Sequence, residues 1–224
     1  VIEFTGVGHA YDGRVVLRDI TLTLAERRVG IVGANGSGKS TLARMINALV
    51  TPDAGTVTVN GVDAAKHKRR IRREVGFIFS DPDRQIIMPT VIEDIELSLR
   101  RTGLSEAERA ERARTVLARF GLADHADHPA QRLSGGQKQL LALAAIFVTE
   151  PTIIVADEPT TLLDLRNSRM LRRVFAGLDE QLVVVTHDLD LVDDFDRVIV
   201  LDDGVVVADD APGPALAAYR ELMA

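Results

Sequence analysis

The sequence predicts an α/β fold: a parallel sheet covered by helices, a small antiparallel β part, and an inserted helical lobe. Three observations predict it. Short apolar, β-branched runs recur at 28–32, 74–79, 153–156 and 182–186; without polar alternation, such runs suit strands buried on both faces. Helix-like segments separate them, as right-handed β-α-β layering requires. Between 81 and 131 the strand signal stops and helix signals replace it.

Taken in order, Arg28-Val29-Gly30-Ile31-Val32 runs into a glycine-rich turn, and Leu42, Met45, Ile46 and Leu49 then mark a helix. Thr56 to Val59, closed by Asn60-Gly61, reads as a hairpin edge. So does 197–201, followed by Asp202-Asp203-Gly204 and 205–207. Both hairpins are expected in the small antiparallel sheet. In the lobe, Ser105 with Glu108 forms a capping box, Gly121 a stop, and Pro129 closes the segment. The expected organisation is one domain, with 1–80 and 150–224 making the catalytic core and 81–149 the helical subdomain.

Composition narrows the function. The 224 residues allow one well-buried domain, and the net charge of −6 opposes a general nucleic-acid binder. Lys66, Lys68, Arg69, Arg70, Arg72 and Arg73 form a basic run, which reads as a solvated helix face. With no cysteine, disulfides and thiolate chemistry are excluded. The first residues lack a signal pattern, and the longest apolar run, Leu140 to Val148, is short of the ~20 residues that span a bilayer. The chain is expected to be soluble by itself and to need a partner to work at a membrane.

Gly33-Ala34-Asn35-Gly36-Ser37-Gly38-Lys39-Ser40 matches G-x-x-x-x-G-K-[ST] between a strand and a helix. Its glycines let backbone N–H groups turn toward a polyphosphate, and the helix start at Lys39, Ser40 and Thr41 adds a partial positive charge. Asn35 to Thr41 are therefore the candidate nucleotide-binding residues of a P-loop nucleoside triphosphatase. Lys39 would reach the β- and γ-phosphates, and Ser40 would bind Mg²⁺. Ile153 to Ala156 ends in Asp157-Glu158, two acids at a strand end where α/β folds bind ligands. Asp157 would support the metal, and Glu158 would polarise the attacking water. The cofactors read here are ATP and Mg²⁺.

Leu133-Ser134-Gly135-Gly136-Gln137 precedes a helix expected from Lys138 to about Thr149. With Asp157-Glu158-Pro159-Thr160, Asp164 and His187 following in order, the chain resembles the ATP-binding-cassette (ABC) ATPases over essentially its whole length. The resemblance implies a head-to-tail dimer, most simply of two copies, in which Ser134, Gly135, Gly136 and Gln137 close over nucleotide held by the partner. It implies that Tyr11 stacks on adenine, that His187 contacts the γ-phosphate and orders the base, and that Asp164 lies in the loop between subunits. Thr161, where serine is usual, is a mild departure. Asp124-His125-Ala126-Asp127-His128 reads as a polar turn rather than a metal cluster.

Ser80 stands where the family usually has a glutamine that touches Mg²⁺ and water and senses the membrane partner. It is a candidate metal contact, two side-chain atoms shorter. Gln85 is too far along the chain to be assumed a substitute. The stretch 81–94 and the wording of 157–165 are similar to ATPases of energy-coupling-factor (ECF) importers, most of all the biotin type. That resemblance implies a coupling membrane protein docked on the helical lobe, a substrate-binding membrane protein, and a place on the cytoplasmic face of a bacterial membrane. The alternatives are a cobalt, nickel or other vitamin importer, or a soluble cassette ATPase outside transport. Glu93, Asp94 and Glu96 could receive basic ends of coupling helices or form a solvated acidic face.

Overall fold

The computed structural model describes residues 1–100 and 102–224. Its strands are β1 (Ile2–Tyr11), β2 (Arg14–Leu24), β3 (Arg28–Gly33), β4 (Ala54–Val59), β5 (Val62–Asp63), β6 (Val75–Ile78), β7 (Ile153–Asp157), β8 (Gln181–Val185), β9 (Arg197–Asp202) and β10 (Val205–Asp210). Its helices are α1 (Lys39–Ile46), α2 (Lys68–Glu74), α3 (Val91–Leu99), α4 (Glu106–Arg119), α5 (Gly135–Phe147), α6 (Leu165–Ala176) and α7 (Pro212–Leu222). None among the described residues is long and apolar enough to cross a membrane.

The strands form two sheets. In the larger one the order is β10-β9-β3-β8-β7-β6, with β3 parallel to both β8 and β9, and β7 parallel to β8. The central residues of β3, β7, β8 and β9 are buried, which explains their unbroken apolar wording. In the smaller sheet the order is β2-β1-β4-β5, all pairs antiparallel. Buried and exposed residues alternate along the end of β2, the pattern of a sheet packed on one face.

Two expectations are corrected. The tail hairpin is not part of the small sheet: β9 joins the parallel core beside β3, and β10 pairs antiparallel outside it. Val198, Ile199, Val200 and Leu201 are all fully buried, so this run belongs with the core strands. The small sheet is instead built mainly by the long hairpin of β1 and β2, turned at Asp12 (φ 50°) and Gly13 (φ 81°). The second correction concerns α5, which begins at Gly135 rather than Lys138, because Ser134 is already its N-cap.

The chain divides into two compact units. One holds 1–77, 152–158 and 175–224; the other holds 78–151 and 159–174. In the first, Arg197 ties three segments. Its guanidinium donates to Asp209 Oδ1 (2.6 Å) and Oδ2 (2.7 Å), to Glu26 Oε2 (3.0 Å) and to the Thr23 carbonyl (2.7 Å). Asp209 above all holds it ionised, against the cost of burial. Burial alone would raise the Glu26 carboxyl, but N–H groups of Glu26 and Ala25 and the Arg197 guanidinium outweigh it and hold the carboxyl below its usual range.

In the second unit α3, α4 and α5 pack together around Leu99, Leu117, Phe120 and Leu141. Capping boxes at Thr90, Ser105 and Ser134 start these three helices. Asp94 belongs to neither expected acidic surface. It is 4% exposed and its Oδ1 accepts the N–H groups of Ile87 (2.8 Å) and Met88 (2.9 Å), so it organises the turn before α3. Glu93 accepts the Thr90 N–H at 3.1 Å as the capping partner.

Candidate functional site

The phosphate-loop residues sit between β3 and α1. Gly38 is the N-cap of α1 at φ 99°, and a Cβ there would lie 2.7 Å from the Val16 carbonyl and from Leu17 Cδ2 of β2. Only glycine lets the loop turn so tightly under that strand. The first N–H groups of α1, at Lys39, Ser40 and Thr41, have no acceptor inside the helix. Ser37 Oγ is buried without a hydrogen-bond partner among the described residues, while Asn35 and Gly36 are exposed. Lys39 Nζ donates to the Gly33 and Ala34 carbonyls, both at 2.8 Å. Burial lowers its ammonium's pKa, partly offset by Glu158 and Asp157. An orphaned hydroxyl, a row of N–H groups and a desolvated ammonium fit a polyphosphate.

Asp157 ends β7 and is 2% exposed. Its Oδ1 accepts Ser40 Oγ at 2.7 Å, and its Oδ2 accepts Arg44 Nη2 at 3.1 Å. A hydroxyl and a carboxylate oxygen in contact form a hard-oxygen donor pair that fits Mg²⁺. The next residue, Glu158, has a left-handed backbone at φ 53°, unusual for a residue with a Cβ and typical of constrained functional positions. Its N–H donates to the Val185 carbonyl of β8 at 2.8 Å. This turns the carboxylate toward His187, whose Nδ1 lies 2.7 Å from Oε2. The His187 ring is largely exposed, and the Asp188 N–H on Thr186 Oγ1 (2.9 Å) fixes the turn beneath it.

Tyr11 lies at the tip of the β1–β2 hairpin, exposed, its ring edge-on to His9 at 4.6 Å. His9 Nδ1 is 3.0 Å from Asp53 Oδ2, which also accepts the Ala10 N–H at 2.8 Å, so the tip is braced from behind.

The other predicted residues lie in the second unit. Ser134 Oγ accepts the Gln137 N–H at 3.3 Å, and Gln137 Oε1 accepts the Ser134 N–H at 2.9 Å. With its oxygen so used, Gln137 donates through Nε2 to His125 Nε2 at 2.9 Å. The His125 proton then belongs on Nδ1, which is 3.0 Å from His128 Nδ1. The two histidines thus support the start of α5. A Cβ on Gly136 would lie 2.3 Å from Asn167 Nδ2, so the second glycine leaves room for its own chain's α6. Asp164 Oδ1 accepts the Asn167 N–H at 2.8 Å and caps α6. Ser80 follows β6, half-buried. Gln85 is held elsewhere: its Oε1 accepts the Phe79 N–H at 3.4 Å and its Nε2 donates to the Ala142 carbonyl at 3.4 Å. Sequence reasoning missed Arg44 and Asn167, whose approaches to Asp157 and Gly136 leave no signal in the residues around them.

A family model described as ABC transporter matches residues 17–161. The chain is 50% identical over 223 residues to a putative ABC transporter ATP-binding protein of Deinococcus radiodurans, covering 100% of this chain and 99% of that protein. It is 46% identical to the biotin transport ATP-binding protein BioM of Rhizobium etli, with the same coverage of both. Among solved structures it resembles cbiO1 of Clostridium perfringens, part of the cbiONQ transporter complex (TM-score 0.85, 29% identity, 100% of this chain and 92% of that one). It also resembles the dimeric ATP-binding cassette MJ0796 bound to ADP and phosphate (TM-score 0.82, 30% identity, 95% and 99%).

Proposed function

This chain belongs to the ABC transporter family as its ATP-hydrolysing subunit, and on that footing we propose that it energises import of a vitamin, biotin, in an ECF-type importer. Glu158 held 2.7 Å from His187, next along the chain from the Asp157–Ser40 couple, is the observation that carries the chemistry. Lys39 exchanges its two carbonyls for phosphate oxygens, and the N–H groups from Asn35 to Thr41, with the Ser37 hydroxyl, surround the rest. Ser40 and Asp157 would hold the metal, with Ser80 a further candidate contact. Mg²⁺ held there would supply positive charge to the phosphate oxygens. Glu158 accepts a proton from the attacking water, while His187 keeps the carboxylate aimed. Tyr11 offers its exposed ring to adenine.

The working unit in this reading is a dimer of two copies, as in the MJ0796 cassette. Ser134, Gly135, Gly136 and Gln137 of each copy serve the nucleotide of the other, and Asp164 lies on the loop between them. Two membrane proteins complete the machine at the cytoplasmic face, one coupling and one binding substrate, with the coupling protein on the helical subdomain at 81–149. Identity of 46% over the full length of a biotin transport subunit supports the substrate. The test is uptake of labelled biotin by cells carrying this chain with its two membrane proteins. Uptake should occur and should stop with Glu158→Gln. Uptake of another vitamin or of cobalt instead would remove biotin and keep the importer; no ATP-dependent uptake of any of them would remove the importer.

A further inference from the structure

The run of Lys66, Lys68, Arg69, Arg70, Arg72 and Arg73 sits in a chain of net charge −6. On α2 and the turn before it, all of these but Arg72 line a groove of about 930 Å³, together with His67. Two of the six cations meet a carboxylate: Lys66 with Asp63 at 2.9 Å and Arg70 with Glu74 at 2.8 Å. Two donate to neutral oxygens and keep their charge uncancelled, Lys68 to Thr51 Oγ1 and Arg72 to the Ala48 carbonyl, both at 2.9 Å. Arg69 and Arg73 have no ion-pair or side-chain hydrogen-bond partner among the described residues. The strip is therefore strongly positive.

The same two hydrogen bonds draw α2 against the turn after α1, where Leu49 is 41% exposed. Cations beside an exposed aliphatic side chain make the composition of a membrane-surface contact. A nucleic-acid surface would offer rings for bases to stack on, and no Phe, Tyr or Trp occurs between 63 and 76. We propose that this groove docks anionic phospholipid headgroups, with the Arg69 and Arg73 guanidinium groups taking the phosphodiester oxygens and Leu49 touching the acyl boundary. The proposal rests on the importer reading only for bringing a membrane near; the contact itself is between this chain and lipid.

Sedimentation of the whole chain with vesicles tests it. The chain should pellet with phosphatidylcholine vesicles that contain phosphatidylglycerol, less as salt rises, and not with phosphatidylcholine alone. The double variant Arg69→Ala, Arg73→Ala should bind them about 30-fold more weakly, with unchanged ATPase rate in solution. Equal pelleting with both vesicles, an unaffected double variant, or tighter binding to duplex DNA or RNA overturns the proposal. So does full competition by inorganic phosphate at the lipid-phosphate concentration, which would mark a free-anion site. Lipid binding without ATP-dependent uptake of biotin, another vitamin or cobalt counts against the importer reading alone; uptake without lipid binding counts against this groove alone.

Discussion

Glu158 holds a backbone conformation that residues with a Cβ rarely adopt, and its carboxylate is spent on His187. Glu158→Gln keeps the size and much of the hydrogen bonding but cannot take a proton. ATP binding should stay near the parental value while turnover falls about 10²–10⁴-fold; near-parental phosphate release would refute the role. Lys39→Ala should do the converse, abolishing the rise in melting temperature that ATP causes, an effect of about 2.7 kcal/mol at a hundredfold excess over Kd. Lys39, Ser40, Asp157 and Glu158 were legible as candidates because their spacing around a turn or strand end is itself the chemistry. Arg44 was not, because its partner lies 113 positions away and nothing local to Arg44 names Asp157. Asp94 was misread for a related reason: Glu93, Asp94 and Glu96, three acids within four positions, look solvated until the fold shows which one points inward.

Between elements, the contact of Gly136 with Asn167 reverses an ordinary expectation. Alanine replacing glycine in a helix gains about 1 kcal/mol. Here the new methyl would displace the Asn167 side chain. Gly136→Ala should therefore lose about 1 kcal/mol in urea unfolding, and should regain stability when Asn167→Gly is added. The Asn167 N–H on Asp164 survives that second change, since it belongs to the backbone. Additive effects would show that the two helices do not meet at this point. Most elements could be read from apolar period and caps, as the box of Ser105 with Glu108 shows. The sheet to which a hairpin belongs could not. Asp202-Asp203-Gly204 marks a turn, but a turn names only the strand that follows, and β9 found its other neighbour in β3, made 168 positions earlier by the register Gly33 to Leu201 and its parallel pairs.

At the scale of the molecule, Arg197 joins the β2–β3 connection to β10 through Glu26 and Asp209. Arg197→Met should cost about 1–2 kcal/mol at neutral pH, a figure held down by the partial exposure of both carboxylates. Because Glu26 titrates below its usual value of 4.5 in the folded chain, its contribution is complete above that value. It is lost as pH falls through the lowered folded value, since the unfolded chain takes up its proton first. The gap between parent and variant in urea unfolding should therefore narrow toward acid; a gap independent of pH would mean that Glu26 contributes nothing. The order of the large sheet also governs how the chain can be made. β3 lies between β9 and β8, yet all of residues 28–33 leave the ribosome long before 181–185 and 197–202. The strand at the centre is synthesised early and paired late, so during translation its two ladders of N–H and C=O groups stay open while most of the chain is still to come. For a growing chain of this design, the interval before β8 and β9 emerge is when shelter by a chaperone matters most.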